Sequence, residues 1–317
     1  MTNTKVSIII PTYNREKFIA ECIQSAQNQT YPNIEIIVSD NASTDQTWQI
    51  CQGLAQQDAR IVLIRNETNL GPVRNWMQGI NKATGAYCKI LFSDDCLSPD
   101  CLQKMTPKLA DPDVGFVYCA AQIGPSPASA SRVEYNLPTS SRISPGLFVD
   151  LLIEGKAPVS PGAILIRTED VRKHLHLTFP TSVSHPYEKN GAGPDVMISL
   201  LTSKKYKYIE HLNEPLVFFR AHADSFTISN TNNEVAKGYQ SIIPYFLKTQ
   251  HGRTVWLRYM SRAWQLERRK AKSPLPMRNI LLEHEGKGSL SECLALIWHM
   301  ALRPLRKRRQ ADHFYTD

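Results

Sequence analysis

The cysteines of this chain are too few and too irregularly spaced for a disulfide framework or a zinc site. Seven occur among 317 residues, an odd number, and no two form a Cys-x-x-Cys pair. The amino terminus also lacks the features of a secretory signal peptide, because residues 1–5 lead directly into a short strand-like segment. Both absences favour a cytoplasmic protein with reduced thiols.

No apolar run at the carboxyl end is long enough to span a bilayer. The segment 290–302 has about 13 residues, whereas a spanning helix needs roughly 20. It contains a tryptophan, and a basic cluster at 303–309 follows directly. Such a segment suits an anionic membrane surface, where each basic residue adds about 1 kcal/mol. Two interpretations of residues 290–309 stay open: peripheral binding to the inner membrane face, or a helix packed on the core that ends in a solvated basic cluster.

Two nucleotide-binding motifs are missing after the first predicted strand. A Gly-x-Gly-x-x-Gly motif there would indicate a dinucleotide oxidoreductase. A glycine-rich, lysine-containing loop would indicate a sugar-nucleotide pyrophosphorylase. The chain has Pro11-Thr-Tyr-Asn14 instead, so neither class is expected. Nucleic acid is not an expected partner either, because the basic residues lack the interleaved aromatics and motif context of a binding module.

The net positive charge of the chain comes from its carboxyl-terminal part. Residues 1–250 contain 23 basic and 23 acidic side chains, whereas the last 67 residues contain 14 and 6, which accounts for the whole net charge of +8. The overall composition, with 42% hydrophobic and 21% charged residues, is typical of a soluble globular protein. We predict one large domain at 1–230 and a helical, basic carboxyl-terminal region at 231–317.

Short segments rich in β-branched residues alternate with helical patterns along the first 120 residues. Strands are predicted at 6–10, 34–38, 61–64 and 87–92, with helices at 16–29, 47–57 and 73–83 between them. This alternation predicts an α/β fold with a Rossmann-like, mainly parallel sheet and helices on both faces. The later predictions are helices at 98–109, 145–154, 169–174 and 195–201, strands at 114–119, 163–166, 206–210 and 216–220, and loops at 122–145 and 178–194.

Two adjacent aspartates, Asp94 and Asp95, follow the fourth predicted strand. Ser93 is the only residue between that strand and the pair. The carboxyl end of a strand is where open α/β sheets bind ligands. Like charges this close raise one another's pKa, whereas a divalent cation between them and a phosphate removes the repulsion. The pair therefore predicts a metal–diphosphate site.

Polar loops also follow the other early strands. Asp40 follows the second strand, and exposed backbone amides near Thr12 follow the first; both suit the hydroxyls and imides of a ribose and a base. The third loop runs from Asn69 to Arg74 and leads into a helix. Alternatively, the Asp-Asn-x-Ser sequence at Asp40 is a common turn and N-cap, and a tight turn alone explains Gly71.

In this order and at these spacings, the segments resemble family 2 of the glycosyltransferases, which are inverting enzymes with the GT-A fold. The resemblance covers residues 5 to about 225 and is carried by Val-Ser-Ile-Ile-Ile-Pro-Thr-Tyr-Asn-Arg, Ile-Ile-Val-Ser-Asp-Asn-Ala-Ser-Thr-Asp, Asn-x-Gly-x-x-x-Asn and Gly85-x-Tyr-x-x-x-Leu/Phe-x-Ser-Asp-Asp. Many relatives have Asp-x-Asp at the metal motif, whereas Phe92 stands here in the place of the first aspartate.

The resemblance implies a nucleotide-sugar donor, usually a UDP-sugar, and a metal ion, Mn2+ or Mg2+. Asp40 would bind the base, Asp94 the ribose or sugar, and Asp95 the metal. The expected donor-binding residues are Pro11, Thr12, Tyr13, Asn14, Asp40, Asn69, Arg74, Ser93, Asp94 and Arg220. The Phe92 departure leaves the division of labour between the two aspartates open.

Asp195 is the expected catalytic base. The resemblance implies a carboxylate at the start of a helix about 100 residues beyond the acidic pair, and Asp195 matches that place, with Pro194 where relatives often have glutamate. Inversion requires one base that takes the proton of the acceptor hydroxyl. The alternative for Asp195 is a helix cap that interacts favourably with the helix dipole.

Arg220 and His222 resemble the Arg-x-His segment that follows a late strand in the family. The resemblance implies that Arg220 contacts the diphosphate and that His222 completes the metal shell. A single histidine after a strand is otherwise most often a surface or capping residue.

We therefore expect an inverting glycosyltransferase of cell-envelope polysaccharide biosynthesis that acts from the cytoplasmic side on a glycan or lipid-linked acceptor. Residues 1–120 would form the nucleotide-binding half and 145–230 the acceptor half. The loops at 122–145 and 178–194 are expected to select sugar and acceptor. The alternative is a degenerate protein that binds sugar nucleotide or scaffolds a membrane assembly complex, but the three carboxylates Asp94, Asp95 and Asp195 argue against it.

Overall fold

The computed structural model describes residues 3–222, 234–270, 276–286 and 288–301. The chain forms two compact units, the first made of Met1–Thr178 with Pro186–Val235 and the second of Phe179–His185 with Ala236–Asp317. The predicted domain boundary at 230 and the basic cluster at 303–309 lie outside the described residues.

The first unit is built around a ten-stranded sheet with helices packed on it. The strands are β1 (Val6–Thr12), β2 (Ile34–Asp40), β3 (Ile61–Arg65), β4 (Tyr87–Ile90), β5 (Cys96–Leu97), β6 (Val114–Gly124), β7 (Arg132–Glu134), β8 (Ser141–Ile143), β9 (Ile164–Arg167) and β10 (Tyr208–Arg220). The helices are α1 (Ile19–Gln27), α2 (Thr47–Gln57), α3 (Pro72–Lys82), α4 (Cys101–Leu109), α5 (Pro145–Ile153), α6 (Thr168–His174), α7 (Tyr187–Asn190) and α8 (Pro194–Ser203).

The strand order is β3-β2-β1-β4-β9-β6-β10-β5, with β7 paired to β6 and β8 paired to β10. The predicted α/β class with a mainly parallel sheet is confirmed, although the shorter pairings are antiparallel. Parallel pairing joins β1 to β2 and β4, β2 to β3, and β6 to β10. The β5, β7, β8 and β9 pairings are antiparallel. The early strand–helix alternation, and the helices between β6 and β10, provide the crossover connections that parallel pairing requires.

Helices cover both faces of the sheet, as the sequence predicts. Ile8 and Ile10 of β1 belong to the same apolar cluster as Ile23 of α1. Successive strand residues point to opposite faces, so Ile9 points to the other face, where α3 lies. A Cβ atom on Gly79 of α3 would come within 2.6 Å of the Ile9 Cγ2 atom. Glycine at that position therefore allows α3 to approach β1 closely.

Several predicted boundaries shift for local reasons. The fourth strand ends at Ile90 because residues 92–95 form a turn, in which the Asp95 backbone N–H donates to the Phe92 carbonyl over 2.9 Å. The helix expected to begin at Ser98-Pro99 begins at Cys101. The two late strands are one strand, β10, with register shifts near Leu212 and Pro215. The 122–145 insertion contains β7 and β8, and the loop at 178–194 contains α7.

The second unit contains the helices α9 (Glu234–Gln250, from Ala236 onward), α10 (Arg253–Lys270), α11 (Met277–Glu285) and α12 (Leu290–Ala301). The helical tail is thus confirmed. Its centre includes the fully buried Trp256, whose indole N–H donates to Glu285 Oε1 over 2.9 Å, and Lys248 pairs with Glu285 at 2.8 Å. Within the described ranges, none of the helices has the length and apolar character needed to cross a membrane.

The cysteines are free thiols, as expected. Six are buried, and Cys293 is partly exposed.

Candidate active site

The early polar loops meet at one edge of the sheet. Thr12 is the last residue of β1 and lies in register with Asp40, the last residue of β2, which in turn pairs with Arg65 at the end of β3. The Leu91 backbone N–H donates to the Ile9 carbonyl over 2.9 Å, which aligns the end of β4 with them. Parallel strands bring these carboxyl ends together, where such sheets bind ligands.

Two buried oxygens at this edge have no hydrogen-bond partner in the described chain: Thr12 Oγ1 and Asp40 Oδ1. The second carboxylate oxygen of Asp40 accepts a hydrogen bond from the Ser43 backbone N–H at 3.1 Å and lies 3.3 Å from Arg65 Nε. An unpaired buried polar atom costs about 1–3 kcal/mol. The pair is therefore suited to a ligand that supplies hydrogen-bond donors.

The loop after β1 is tied to the loop after β2. Asn14 has a left-handed backbone, with φ of 51°, and its backbone N–H donates to Ser43 Oγ over 2.9 Å. Its side-chain oxygen accepts from the Thr44 backbone N–H at 2.8 Å. Pro11 is buried, whereas the Tyr13 ring is 40% exposed. Of this predicted group, Asn14 is engaged by the protein itself, and Tyr13 presents a ring to solvent.

A network of asparagine amides joins the second and third loops. Asn41 Nδ2 donates to Asn69 Oδ1 over 2.8 Å, and Asn66 Nδ2 donates to both Asn41 Oδ1 and Asn75 Oδ1 at 3.0 and 2.9 Å. Asn69 was predicted to bind donor, and its oxygen also accepts from the Gly71 N–H. The other three asparagines are not among the predicted site residues, although Asn75 closes the Asn-x-Gly-x-x-x-Asn motif.

The two adjacent aspartates occupy different environments. Asp95 is 8% exposed, and one of its oxygens accepts from the Arg220 backbone N–H at 2.9 Å. Asp94 is more accessible, and its Oδ2 lies 3.0 Å from His222 Nε2 and 3.7 Å from Arg15 Nε. Burial first, and then the Asp94 carboxylate, raise the pKa of Asp95 well above its usual range. A cation beside the pair would favour the ionised form. Ser93, directly before them, is buried.

The Arg220 side chain has partners other than the predicted diphosphate. Its guanidinium donates to the Asp94 and Pro125 carbonyls, each over 2.9 Å, and to the Glu21 carboxylate. It also lies over the Phe18 ring, 5.0 Å from the centroid, and is only 6% exposed. Because each guanidinium nitrogen is engaged and little of the side chain is accessible, Arg220 holds the aspartate turn against β10.

His222 lies beside Asp94. Its Nε2 atom takes part in the contact with Asp94, and its ring packs against Phe18 with centroids 4.6 Å apart. The buried Nδ1 atom has no hydrogen-bond partner among the described residues. The structure therefore brings together Asp94, Asp95 and His222.

The residues at this turn fit a hard divalent cation only in part. No group of three or more His, Cys, Asp or Glu side chains arranged to hold a metal occurs within the described ranges. Mg2+ commonly takes one or two carboxylates and completes its shell with substrate phosphates and water, and carboxylates also suit Mn2+. Asp94 and Asp95 provide those two carboxylates. The donor set fits an ion that needs a phosphate-bearing substrate to complete it.

Asp195 is the second residue of α8 and is 7% exposed. Its Oδ1 atom accepts from the Gly193 and Val196 backbone N–H groups, at 2.8 and 2.7 Å. The N-cap of α8 is Gly193, with no side-chain cap hydrogen bond, so these bonds fix the orientation of the Asp195 carboxylate within the first turn. Gly193 has φ of 117°, a backbone conformation that favours glycine.

The turn before Asp195 packs at the same end of the first unit as the aspartate pair. A Cβ atom on Gly191 would lie 2.4 Å from the Trp76 ring, and the Trp76 and Phe92 ring centroids are 5.5 Å apart. The predicted donor residue Arg74 pairs with Glu188 at 3.0 Å. Trp76 and Arg74 of α3 therefore link the α7–α8 turn to the chain just before Asp94.

Other charged groups near the site were missed at the sequence level. Arg15 approaches Asp94, and Arg65 approaches Asp40. Lys89, inside the apolar run of β4, is fully buried and donates to the Gly162 and Ile164 carbonyls. Arg15 belongs to the Pro-Thr-Tyr-Asn-Arg motif, and its place directly after β1 could have indicated that it lies at the site. The apolar residues around Lys89 in the sequence do not indicate a site residue.

The sequence model of glycosyl transferase family 2 matches residues 7–174, more than half of the chain. The chain belongs to glycosyl transferase family 2. The matched range includes the ends of β1, β2 and β4 and the aspartate pair, so the resemblance of the short motifs is confirmed over that range.

Three curated glycosyltransferases match shorter segments of the chain. Glycosyltransferase GlyG of Streptococcus pneumoniae is 33% identical over 112 residues, 35% of this chain and 37% of that protein. Abequosyltransferase RfbV of Salmonella typhimurium is 43% identical over 100 residues, 31% of this chain and 30% of that protein. The GalNAc(5)-diNAcBac-PP-undecaprenol beta-1,3-glucosyltransferase of Campylobacter jejuni is 37% identical over 105 residues, 33% and 34% of the two chains. The chain spans about a third of the length of these relatives.

Among solved structures, residues 1–349 of S. aureus TarS in complex with UDP-GlcNAc are similar, with a TM-score of 0.67 and 18% identity. The match covers 88% of this chain and 81% of that one. At this identity the likeness concerns the fold, and it confirms the GT-A type.

Proposed function

We propose that this family 2 member transfers a sugar from a nucleotide-sugar donor, a UDP-sugar, to a glycan or lipid-linked acceptor with inversion. The observation that carries the proposal is the juxtaposition of the unpaired Thr12 and Asp40 oxygens with the Asp94–Asp95 turn at one sheet edge. S. aureus TarS forms a complex with UDP-GlcNAc, and the name of the Campylobacter jejuni relative includes an undecaprenol-linked glycan. Both support the proposal.

The base and ribose of the donor would occupy the β1–β2 side. Asp40 Oδ1 is an acceptor for an imide N–H, and the Thr12 hydroxyl donates or accepts. Both are buried and lack partners in the described chain. Tyr13 supplies an exposed ring at the same loop. The asparagine network around Asn69 holds the neighbouring loop in place.

The diphosphate would lie between the base side and the aspartate turn. Asp94 and Asp95 would hold Mn2+ or Mg2+, with His222 beside Asp94. When bound, such an ion neutralises negative charge on the departing diphosphate. Arg15 Nε is 3.7 Å from Asp94 and is well placed to pair with a phosphate instead. Arg220 serves this proposal as a brace for the turn.

Asp195 is the proposed general base. Two backbone N–H groups hold its Oδ1 atom, so the carboxylate is oriented before substrate binds. In an inverting transfer it takes the proton of the acceptor hydroxyl while that oxygen attacks the anomeric carbon. The acceptor would then approach between the α7–α8 turn and the aspartate turn.

For the biological setting we propose polysaccharide biosynthesis of the cell envelope, at the cytoplasmic side of the membrane. The GalNAc(5)-diNAcBac-PP-undecaprenol relative supports a lipid-linked acceptor. The carboxyl-terminal segment 290–309 is the proposed contact with the membrane surface.

A thermal-shift panel of nucleotide sugars with Mn2+ tests the donor proposal. A ligand that binds the native state raises its apparent stability by mass action. We expect UDP-sugars to raise the melting temperature and Asp40→Ala to abolish that shift. Leu266→Gln, an exposed change on α10 of the second unit, is the control and should leave the shift intact. No shift with any nucleotide sugar would contradict the proposed donor class.

A further inference from the structure

The outer face of α12 is apolar. Leu290, Leu294, Ile297 and Trp298 are 76%, 50%, 50% and 66% exposed, and their spacing places them along one side of the helix. Leu296, which points the other way, is fully buried. These four exposed side chains are called the α12 stripe below.

The α12 stripe is not needed to pack the helix. The opposite side of α12 packs against α10 and α11, and Glu292 lies 3.3 Å from Lys248 Nζ of α9. A helix that had only to cover a core would turn its large apolar residues inward. Single exposed apolar residues need no explanation, but a contiguous group marks an interaction surface.

The sequences of α10 and of the segment that follows α12 are strongly basic. The sequence of α10, the helix beside it, contains six basic residues and one acidic residue. Arg253, Arg268 and Arg269 of α10 are exposed. The sequence directly after α12 adds five basic residues in seven positions, 303–309. Binding to a protein partner does not require an excess of basic residues. An anionic lipid surface attracts such an excess.

We propose that the α12 stripe binds the surface of an anionic phospholipid membrane. Leucine, isoleucine and tryptophan side chains would enter the boundary between headgroups and acyl chains, with α12 lying in the plane of the surface. Tryptophan suits that boundary because its ring is apolar and its N–H is polar. The inference deepens the proposed function by naming the surface where a lipid-linked acceptor would be met, but the binding itself does not depend on the donor site.

Flotation of the full-length protein with lipid vesicles tests this proposal. We expect the protein to float with vesicles of phosphatidylcholine and phosphatidylglycerol, less so at high salt, and not with phosphatidylcholine alone. Trp298→Gln should lower the partition coefficient roughly tenfold or more, since a large apolar side chain no longer leaves water. Leu294→Gln should act in the same direction. Val133→Gln replaces a 45% exposed apolar residue on β7 and should leave flotation unchanged.

The outcomes separate this proposal from its rivals. Equal flotation of Trp298→Gln, Leu294→Gln and wild type would overturn it, as would equal binding to neutral and anionic vesicles. A dimer that Trp298→Gln converts to a monomer would also overturn it, because the α12 stripe would then join two copies of the chain. The donor-induced thermal shift is measured on the same samples. Intact flotation without that shift would count against the donor proposal alone.

Discussion

Thr12 and Asp40 lie side by side at the ends of β1 and β2, and each has one buried oxygen without a hydrogen-bond partner in the described chain. The polar groups around them are satisfied by neighbouring loops, as the Asn14 and Ser43 contacts show. Leaving two acceptors unpaired costs stability in the empty protein. A ligand that donates to Asp40 would offset that cost, which is why these two atoms carry the donor proposal.

Asp195 is the residue on which the chemical step depends in this account. Asp195→Asn keeps a side-chain oxygen to accept from the Gly193 and Val196 N–H groups but removes the basic carboxylate. We expect sugar transfer to fall by roughly 100-fold or more, while the donor-induced thermal shift stays unchanged. Transfer is measured as UDP released in the presence of acceptor. Transfer at the wild-type rate would place the base elsewhere.

Glu35 makes a pH-dependent contribution to folding. Burial opposes its ionisation, but hydrogen bonds from Ser7, Lys5 and Thr84 outweigh that effect and lower its pKa from 4.5 to about 2. A pKa lowered in the folded state stabilises the protein above pH 4.5, and this contribution is lost as the pH falls towards 2.

Glu35→Gln should therefore reduce the free energy of unfolding by roughly 3 kcal/mol at neutral pH. The difference from wild type should shrink between pH 4.5 and 2, as measured by urea unfolding across that range. Glu67→Gln, at an exposed position, is the control for the loss of one carboxylate from the chain. A difference that is constant with pH would contradict the ionic contribution of Glu35.

Among the elements, β4 depends on a glycine before its first residue. Gly85 lies where a Cβ atom would come within 2.7 Å of the Ser7 backbone nitrogen of β1 and 2.8 Å of the carbonyl oxygen of Lys5, just before β1. Its backbone N–H also donates to Ser7 Oγ and Glu35. The glycine of the Gly85-x-Tyr motif therefore permits close approach of the chain to β1 at the start of β4.

Gly85→Ala should lower the free energy of unfolding by roughly 1–3 kcal/mol, because the backbone of the neighbouring chain cannot yield as a flexible side chain would. Gly53→Ala is the matched control. Gly53 lies within α2 and has no atom within 4 Å of an added Cβ, so alanine should stabilise the protein by roughly 0.5–1 kcal/mol. Chemical denaturation of both variants measures the two effects. Equal changes in the same direction would contradict the steric explanation.

The elements also mark where prediction from sequence ends. The bounds of α2 were predicted as found, and β1, β2 and β3 were placed within two residues of their ends, because local periodicity and β-branched residues define them. The insertion of β9 between β4 and β6 has no local signal, since that pairing joins strands far apart in sequence. The partners of Arg220 were missed for the same reason: Glu21 is 199 residues away.

In the molecule as a whole, the candidate donor site and the basic, apolar surface lie in different parts of the sequence. The neutral first 250 residues contain the sheet edge with Asp40, Asp94 and Asp95, whereas the basic remainder contains α10 and the α12 stripe. The motifs around Asp40 and Asp94 could be predicted from the sequence because each falls at the end of a strand. Ligands bind at such strand ends, and the family resemblance indicates the same positions. The asparagine network and the buried Lys89 were not, because their partners lie in loops brought together only by folding.

The most direct test of the account is isothermal titration of a UDP-sugar into the protein with Mn2+ and with EDTA, for wild type and Asp95→Ala. We propose that the donor diphosphate and the metal bind at the Asp94–Asp95 turn. We therefore expect binding to wild type that is strong with Mn2+ and at least roughly tenfold weaker in EDTA, and weak binding to Asp95→Ala in both conditions. Equal affinity of wild type and Asp95→Ala, with and without EDTA, would contradict it.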